Sequence, residues 1–445
     1  MKYAVFALAA MGVPPLTALL CLNQRWMKYA FWGMVAAMVM YQNTSINFFS
    51  HEDYRGSARG MEVSLIYLLD IAILAAVAIR GKVKKAFPDI GSRLYLVYFI
   101  LCMPSLIVAD NLLISWLEVW KMILIYIHFI AVYSYLCSTD DVESVLHALA
   151  AFVIANGILV VKDHLSGIYQ PGGAFPHRNG MAMGMLLVGP TFFAAYLTYG
   201  FKNWIGRMGA LAFVSAVVST LWSYSRGAIA MMPLAYGITT FLCVFERGGR
   251  AQKFVRLLPI VLVGVVCLAP LMPRVIERFE KAPKKSGETR VELAACAWEM
   301  IRANYLTGVG INNWSINMDS DHPYQEHAGD ALDTDLNYTG IVETVYLLVC
   351  AECGVPALVA MVVWFLWYWF LALRLLGRMK GSMYYFVPDG IVGGLSANYL
   401  QSFLEWVLRQ QLSLVCLMFV FAMLSYLWST RSHKKNMASI TIKQG

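Results

Sequence analysis

The amino-acid sequence predicts an all-α polytopic membrane protein with about 12–13 transmembrane helices and one large loop outside the cytoplasm. Three observations predict it. Hydrophobic residues make up 59% of the 445 and charged residues only 14%, against about 25% charged in an ordinary globular domain. Apolar blocks of about 17–22 residues recur along nearly the whole chain, each long enough to cross about 30 Å of hydrocarbon as a helix. Lys and Arg gather in alternate connections between those blocks.

The blocks lie at roughly 4–21, 29–47, 62–79, 94–109, 116–136, 145–161, 180–199, 209–223, 228–244, 257–272, 355–373, 384–401 and 411–428. One set of connections holds Arg25 and Lys28, Arg80 to Arg93, Lys202 and Arg207, Arg247 to Arg256, Arg374 to Lys380 and the tail from Arg431. That is about twenty basic residues against about six in the short loops opposite, so the rich side is cytoplasmic. The segments 48–61, 162–178, Tyr224–Arg226 and the long 273–340 then lie outside. An odd number of spans puts the N-terminus outside too. The first block follows a single Lys with no small-residue cleavage site after it, and reads as a retained helix rather than a signal peptide.

Other classes are disfavoured. The formal charge of +8 sits in short runs between apolar blocks, with no basic face that could track nucleic acid. Of nine cysteines only Cys296 falls in the large loop, so no disulfide framework is expected. Cys350 and Cys353 form a C-x-x-C within a helical apolar stretch, where packing is the expected role rather than redox chemistry. No internal repeat and no soluble domain at either end is expected. The chain divides into N-terminal helices over 1–169, a core over 170–375 that includes a loop at 273–354, and C-terminal helices with a basic tail over 376–445.

Within the outer segment, Thr289-Arg290-Val291-Glu292 has the form of a capping box. Val291, Ala294, Ala295, Trp298 and Ile301 follow at helical spacing, which predicts a short amphipathic helix with Trp298 toward the membrane. It ends near Asn304, before Thr307-Gly308-Val309-Gly310. Arg290 would be its first residue, where a cation opposes the helix dipole and a bound anion would relieve the conflict. Residues 341–353 form an apolar half-helix interrupted by Gly354 and Pro356. Such a break persists near hydrocarbon only where it lines a cavity or is buried in protein.

Several charged groups need a reason. Arg226, in Ser225-Arg226-Gly227-Ala228 between two apolar blocks, is either an interface Arg or an anion clamp facing an outer cavity. Glu343 opens the half-helix; a carboxylate beside hydrocarbon suits a general base, and a helix-start Glu favoured by the dipole is the plainer reading. His177-Arg178-Asn179, after Pro171-Gly172-Gly173, either binds substrate or anchors a helix end. Asp319-Ser320-Asp321 and Asp333-Thr334-Asp335, with His322 and His327 nearby, have the D-x-D form of some metal sites, but an acidic outer loop is ordinarily a solvated surface. No metal and no cofactor is assigned.

From about residue 170 to 360 the chain resembles the O-antigen ligase and Wzy O-antigen polymerase superfamily. The resembling pieces are Phe175-Pro176-His177-Arg178-Asn179, Ser225-Arg226-Gly227-Ala228, Arg290 with Trp298 eight residues on, Thr307-Gly308-Val309-Gly310, and Val342-Glu343-Thr344-Val345-Tyr346-Leu347 followed by Ala351-Glu352-Cys353-Gly354-Val355. Their order and spacing carry the resemblance more than any single piece. Arg55-Gly56-Ser57-Ala58-Arg59-Gly60 and Leu404-Glu405-Trp406-Val407-Leu408-Arg409 are more loosely similar to exopolysaccharide members.

The resemblance implies a GT-C-like fold in the bacterial inner membrane and an inverting, metal-independent glycosyl transfer on the periplasmic side. The donor would be a glycan on a polyprenyl diphosphate such as undecaprenyl diphosphate. The acceptor would be a sugar hydroxyl on lipid A–core or on another glycan chain. The family's two functional arginines map onto Arg226 and Arg290, with Glu343 as base. His177, Arg178, Asn179, Gly308 and Gly310 would bind substrate. The ligases carry a His followed by Asn where this chain has Glu343-Thr344, which leaves ligase and polymerase both open. Two other classes remain: a lipid-linked glycan flippase or transporter, which would place charges near the bilayer midplane and often show inverted repeats, and a non-catalytic component of polysaccharide export.

Overall fold

A chain in hydrocarbon must satisfy its backbone polar groups internally, and apolar runs of this length do so as helices. The computed structural model describes residues 2–51, 54–80, 90–245, 250–258, 284–318, 324, 326, 332–333, 338–379 and 382–443. Among them eight helices are long and apolar enough to cross a membrane: Tyr3–Leu22, Leu112–Thr139, Val142–Leu165, Arg178–Tyr199, Trp204–Trp222, Arg226–Phe245, Val345–Arg378 and Gln411–Thr430. Leu65–Ile79 and Ile90–Leu106 are shorter apolar helices, and Gln24–Val39 and Phe386–Gln401 pack among them. The expected span at 257–272 lies outside the described residues from 259 on. The chain is an all-α polytopic membrane protein, as its apolar blocks require.

Polar side chains at block edges set the helix starts. Asn111 accepts from the backbone of Leu113 and Ile114, Asp141 from Ser144, and Asn203 from Gly206, each satisfying a donor that the first helical turn leaves unpaired. Among the described residues, sheet is confined to two small antiparallel ribbons, Ser45–Phe48 with Met61–Ser64 and Leu332–Asp333 with Tyr338–Thr339.

Arg178–Tyr199 runs through the centre of the bundle, and its most apolar stretch is wholly buried. Phe386–Gln401 packs closely on it because a glycine faces it: a Cβ on Gly390 would stand 2.1 Å from the Thr191 Cα. Small residues at the contact let two backbones approach, which is how membrane helices gain packing without a hydrophobic drive between them. On the outside of the bundle Val355, Val359, Val363, Leu366 and Phe370 form an exposed apolar stripe at helical spacing. Lipid is the solvent such a stripe fits.

The two ends of the bundle differ in character. One end gathers the Ser45–Ser64 ribbon and its loop, residues 166–178, Tyr224, the helix Lys284–Ala303 and the segment 402–410. Contacts tie these together: Gln42 donates to the Phe175 carbonyl at 2.7 Å, Ser115 to the Ile311 carbonyl at 2.8 Å, and the Val345 amide to the Ser402 carbonyl at 3.1 Å. Tyr3 packs its ring on Phe48, so the chain starts at this end. The opposite end holds Lys28, on Asp141 at 3.8 Å, and Arg256, which donates to the Leu197 carbonyl at 2.6 Å, both from basic connections.

The outer helix departs from its expected form. It is already helical at Lys284, so Thr289 is not its cap and Arg290 lies well inside it rather than at its first position. The conflict between Arg290 and the helix dipole therefore falls away, because that field is confined to the first turn. Its buried face is Leu293, Cys296, Ala297, Met300 and Ile301, while Val291 is 71% and Trp298 50% exposed. The helix is apolar on two sides, and spacing alone does not say which side meets protein.

The break expected after residue 353 is present. Gly354 has φ 82° and ψ 170° and separates a half-helix, Val345–Cys353, from the rest of Val345–Arg378. The glycine turn repairs the interrupted hydrogen bonding. Val309 donates to the Ala351 carbonyl at 2.9 Å, Gly310 to that of Glu352 at 3.0 Å, and Val355 to that of Tyr305 at 2.8 Å. Gly308, at φ 68°, lies so close that a Cβ there would stand 2.3 Å from the Glu352 carbonyl carbon.

Candidate active site

Packing of the outer helix on the half-helix fixes the first pair of charges. Leu293, Cys296 and Ala297 share a core with Val342, Leu348 and Ala351. Arg290 stands one turn before Leu293 on the same side of its helix. Glu343 lies just ahead of the half-helix. The Arg290 Nη2 and the Glu343 Oε2 meet as an ion pair, with the two side chains 37% and 39% exposed, so the pair is open at one side.

The segment between Phe386–Gln401 and the last helix brings in a second carboxylate. The Ser402 carbonyl accepts from the Val345 amide and, at 3.3 Å, from the Thr344 hydroxyl, which holds this segment against the start of the half-helix. Three residues on, Glu405 is only 7% exposed and accepts from the Asn179 Nδ2 at 2.8 Å. Burial pushes its carboxyl up to about 7, and the negative field of Glu343 adds to that. Arg290, the Asn179 hydrogen bond and Arg178 act the other way. Arg178, Asn179, Arg290, Glu343 and Glu405 therefore share one electrostatic site.

His177 caps the central helix. Its Nδ1 accepts from the Asn179 amide at 3.3 Å, and burial, then the neighbouring Arg178, push its pKa below the ordinary range. Of the two roles open to it in sequence, helix anchoring is visible. Beside it opens a cleft of about 850 Å³, lined by Gln42, Asn43, Asp163, Gln170 and the stretch Gly172–Arg178.

Arg226 is the first residue of Arg226–Phe245, after the sharp corner at Tyr224, where φ is 50°. It stands at the same end, linked to the cluster through its neighbour: a Cβ on Gly227 would lie 3.4 Å from the Gln401 Nε2. Gln401 precedes Ser402 and is fully buried. Both polar atoms of its amide lack a hydrogen-bond partner among the described residues. A buried amide without partners is costly, and it marks a place where a ligand or water would bind. Arg226 makes no direct contact with Arg290 or Glu343.

Gly308 and Gly310 lie elsewhere. They pack on the break at Gly354, across the half-helix from Glu343, and its nine or so residues span about 13 Å. Of the acidic pairs of the outer loop, Asp333 lies in the second ribbon, while Asp319, Ser320, Asp321, Thr334, Asp335, His322 and His327 fall outside the described residues.

Behind the site lies a buried ionic cluster that sequence reading did not single out. Glu118 sits 2.6 Å from Lys121 and 3.1 Å from the Arg409 Nε, and the Arg409 Nη2 is 3.1 Å from Glu352. Ser57 donates to Glu118 at 2.7 Å, and Lys121 donates to the carbonyls of Ser57 and Arg409 at 3.0 and 2.7 Å. Two cations and two anions balance, as a buried group must. Asn312 extends the same frame, accepting from the Ala58 amide at 3.2 Å and donating to its carbonyl at 2.8 Å.

Glu405 and Gln401 are likewise additions of the structure. Charged residues at 405 and 409 between two apolar blocks were the available signal, but pattern gave no reason to join them to residues 177–179. Among the described residues the site holds Arg178 and Arg290, with Arg226 at the same end of the bundle, against Glu343 and Glu405, whose carboxyl is raised to about 7. That balance of charge suits an anionic ligand.

No curated protein matches the chain. Residues 211–362 match the model of a family described as O-antigen ligase; the matched segment contains Arg226, Arg290, Gly308, Gly310 and Glu343, while Arg178 and Glu405 lie on either side of it. At family level the match supports a membrane enzyme of the O-antigen ligase type, a class that implies a lipid-linked glycan and an acceptor. The match supports the likeness to the O-antigen ligase and Wzy polymerase superfamily over these residues.

Proposed function

We propose that this protein moves a glycan from a polyprenyl diphosphate to a sugar hydroxyl at the periplasmic face of a bacterial inner membrane. The observation that carries the reading is the meeting of Arg290, Glu343, Asn179 and Glu405 at the end of the bundle opposite the basic connections. The excess of Lys and Arg at the other end supports a cytoplasmic location for it and hence a periplasmic site.

In this reading Arg226 and Arg290 hold the diphosphate, with His177, Arg178 and Asn179 orienting it or the first sugar. The acceptor oxygen attacks C1 of the donor sugar from the face opposite the diphosphate. The new C1–O bond forms as the old one to phosphate breaks, which inverts C1. The proton passes from the hydroxyl to the Glu343 carboxylate, and polyprenyl diphosphate leaves with the bonding electrons. Its charge is greatest as the bond breaks, so guanidiniums aimed at it stabilise the transition state more than the ground state. The Arg290–Glu343 pair is the resting arrangement. An arriving diphosphate competes with Glu343 for Arg290 and frees the carboxylate to act as base. Transfer in this scheme is metal-independent, and EDTA is expected to leave product formation unchanged.

Reconstitution in vesicles with a polyprenyl-diphosphate oligosaccharide tests the scheme. Product is expected from the wild type and lost in Arg226→Ala, Arg290→Ala and Glu343→Gln, with membrane insertion intact. Wild-type yield from Glu343→Gln removes it as the base, and wild-type yield from both arginine variants overturns the transferase reading. Labelled donor crossing the bilayer unchanged in length would instead indicate a flippase. Longer lipid-linked chains identify a polymerase, and glycan on a different molecule a ligase.

A further inference from the structure

A second cleft, of about 440 Å³, lies beside the charged site and shares Phe175, Pro176 and His177 with the first. Its walls come from the loop 56–60, the first ribbon, Leu112–Thr139 and the segment after Glu405. The side chains that matter are Asn47, Arg59, Glu62, Trp120, Trp406 and Gln410. Trp406 adjoins Glu405 in the chain, so the cleft opens next to the reacting groups.

The frame is rigid before any ligand arrives. Asn312 clamps both backbone groups of Ala58, and the buried cluster of Glu118, Lys121, Arg409 and Glu352 holds Ser57. Trp120 donates its indole N–H to the Glu62 carbonyl at 3.3 Å, which fixes one aromatic wall. The Asn47 amide packs against Gly60, where a Cβ would stand 2.3 Å from its Oδ1, which fixes a second wall.

The chemistry of the walls differs from that of the neighbouring site. Arg59 and Glu62 offset each other, and Lys121 is consumed by Glu118. No surplus positive charge remains for a diphosphate. What remains is the amides of Asn47 and Gln410, a carboxylate and two indole rings. Amides and carboxylates take the hydroxyls of a sugar ring, and flat aromatic faces take its C–H surface. A pocket with apolar walls and a few converging polar groups is a small-molecule site by form.

We infer that this cleft is a saccharide subsite, holding sugar residues of a glycan chain next to the transfer centre. It rests on the transferase reading for its place in a reaction, but its ligand can be tested without turnover.

The probe is the lipid-free oligosaccharide repeat released by mild acid from the host cell's own lipid-linked glycan. Saturation-transfer NMR on the full-length protein in detergent reads its binding. The wild type is expected to bind it, Trp406→Ala and Gln410→Ala to weaken it at least about tenfold, and Arg226→Ala to bind it as the wild type does. Arg59→Ala, at an exposed position, repeats the test should the Trp406 change unfold the chain. Undiminished binding in Trp406→Ala, Gln410→Ala and Arg59→Ala, or no binding by the wild type at millimolar probe, overturns the inference. Wild-type product yield from Arg226→Ala and Arg290→Ala would sink the transferase reading and leave the binding result standing. Turnover then identifies the source of the sugar. A raised KM for acceptor alone places the acceptor chain in the cleft, and a raised KM for donor alone places the donor's sugars there.

Discussion

Asn179, in the first turn of the central helix, donates a 2.8 Å hydrogen bond to Glu405, in the segment before the last helix. That bond joins two parts of the chain that lie on either side of the family-matched segment and closes the site around Arg290 and Glu343. Several expectations come from this arrangement.

Glu405 should make stability fall with rising pH. Its carboxyl is raised from 4.5 to about 7 in the folded protein, so the folded state binds the proton more tightly than the unfolded one. Stability from this group is then greatest below pH 4.5 and is lost as pH rises through about 7. Glu405→Gln should raise the Tm in detergent at pH 8 by an amount worth up to about 3 kcal/mol, and change it little at pH 5. The same substitution should remove any limb near pH 7 from the pH profile of product formation. An equal Tm difference at both pH values would show that Glu405 does not titrate in this range.

Arg290→Lys should fail as Arg290→Ala does. A lysine keeps the charge but not the planar fork that can hold two phosphate oxygens at once. A loss of about a hundredfold or more in kcat is expected, the size seen when one donor to a developing anion is removed. The check is single-turnover kinetics in vesicles, and near-normal kcat in the Lys variant would reduce Arg290 to a point charge.

Gly354→Ala should destabilise the fold rather than the chemistry. At φ 82° an alanine is strained, and its Cβ would lie 2.3 Å from the Leu306 carbonyl oxygen. Strain of this kind costs about 1–3 kcal/mol before the clash is counted. The expected readout is a lower Tm, with residual enzyme keeping a normal KM for donor.

Arg409→Met should be among the most damaging single changes away from the reacting groups. It leaves Glu118 with Lys121 as its one cation and Glu352 without its salt-bridge partner. Breaking a buried ionic group by removing one partner costs about 3–5 kcal/mol. Yield of folded protein by size-exclusion chromatography checks this, and partial recovery in Arg409→Met with Glu352→Gln would show that the stranded carboxylate is the cause.

Much of the site was legible before any coordinates. The break at Gly354, the glycine turn before it and the unusual charges at Arg226, Arg290 and Glu343 all stand out against apolar neighbours, because an ion or a backbone break near hydrocarbon is expensive. The role of the glycine turn was not legible, since only the docking of Val309 and Gly310 on the Ala351 and Glu352 carbonyls reveals it. The buried face of the outer helix was not legible for a related reason. Val291 and Trp298 are as apolar as Leu293 and Met300, and only the half-helix beneath decides which set is covered.

The sequence by itself determined the fold class, the alternation of the bundle's two ends and the identity of the charged residues that demand a partner. Those follow from length, hydropathy and charge, which act locally along the chain. The tertiary structure decided which of the charges meet. Glu343 reaches Arg290, Glu405 reaches Asn179, and Glu118 reaches Arg409 only because separate helices pack side by side, and Coulomb and hydrogen-bond energies depend on distance in space rather than separation in sequence.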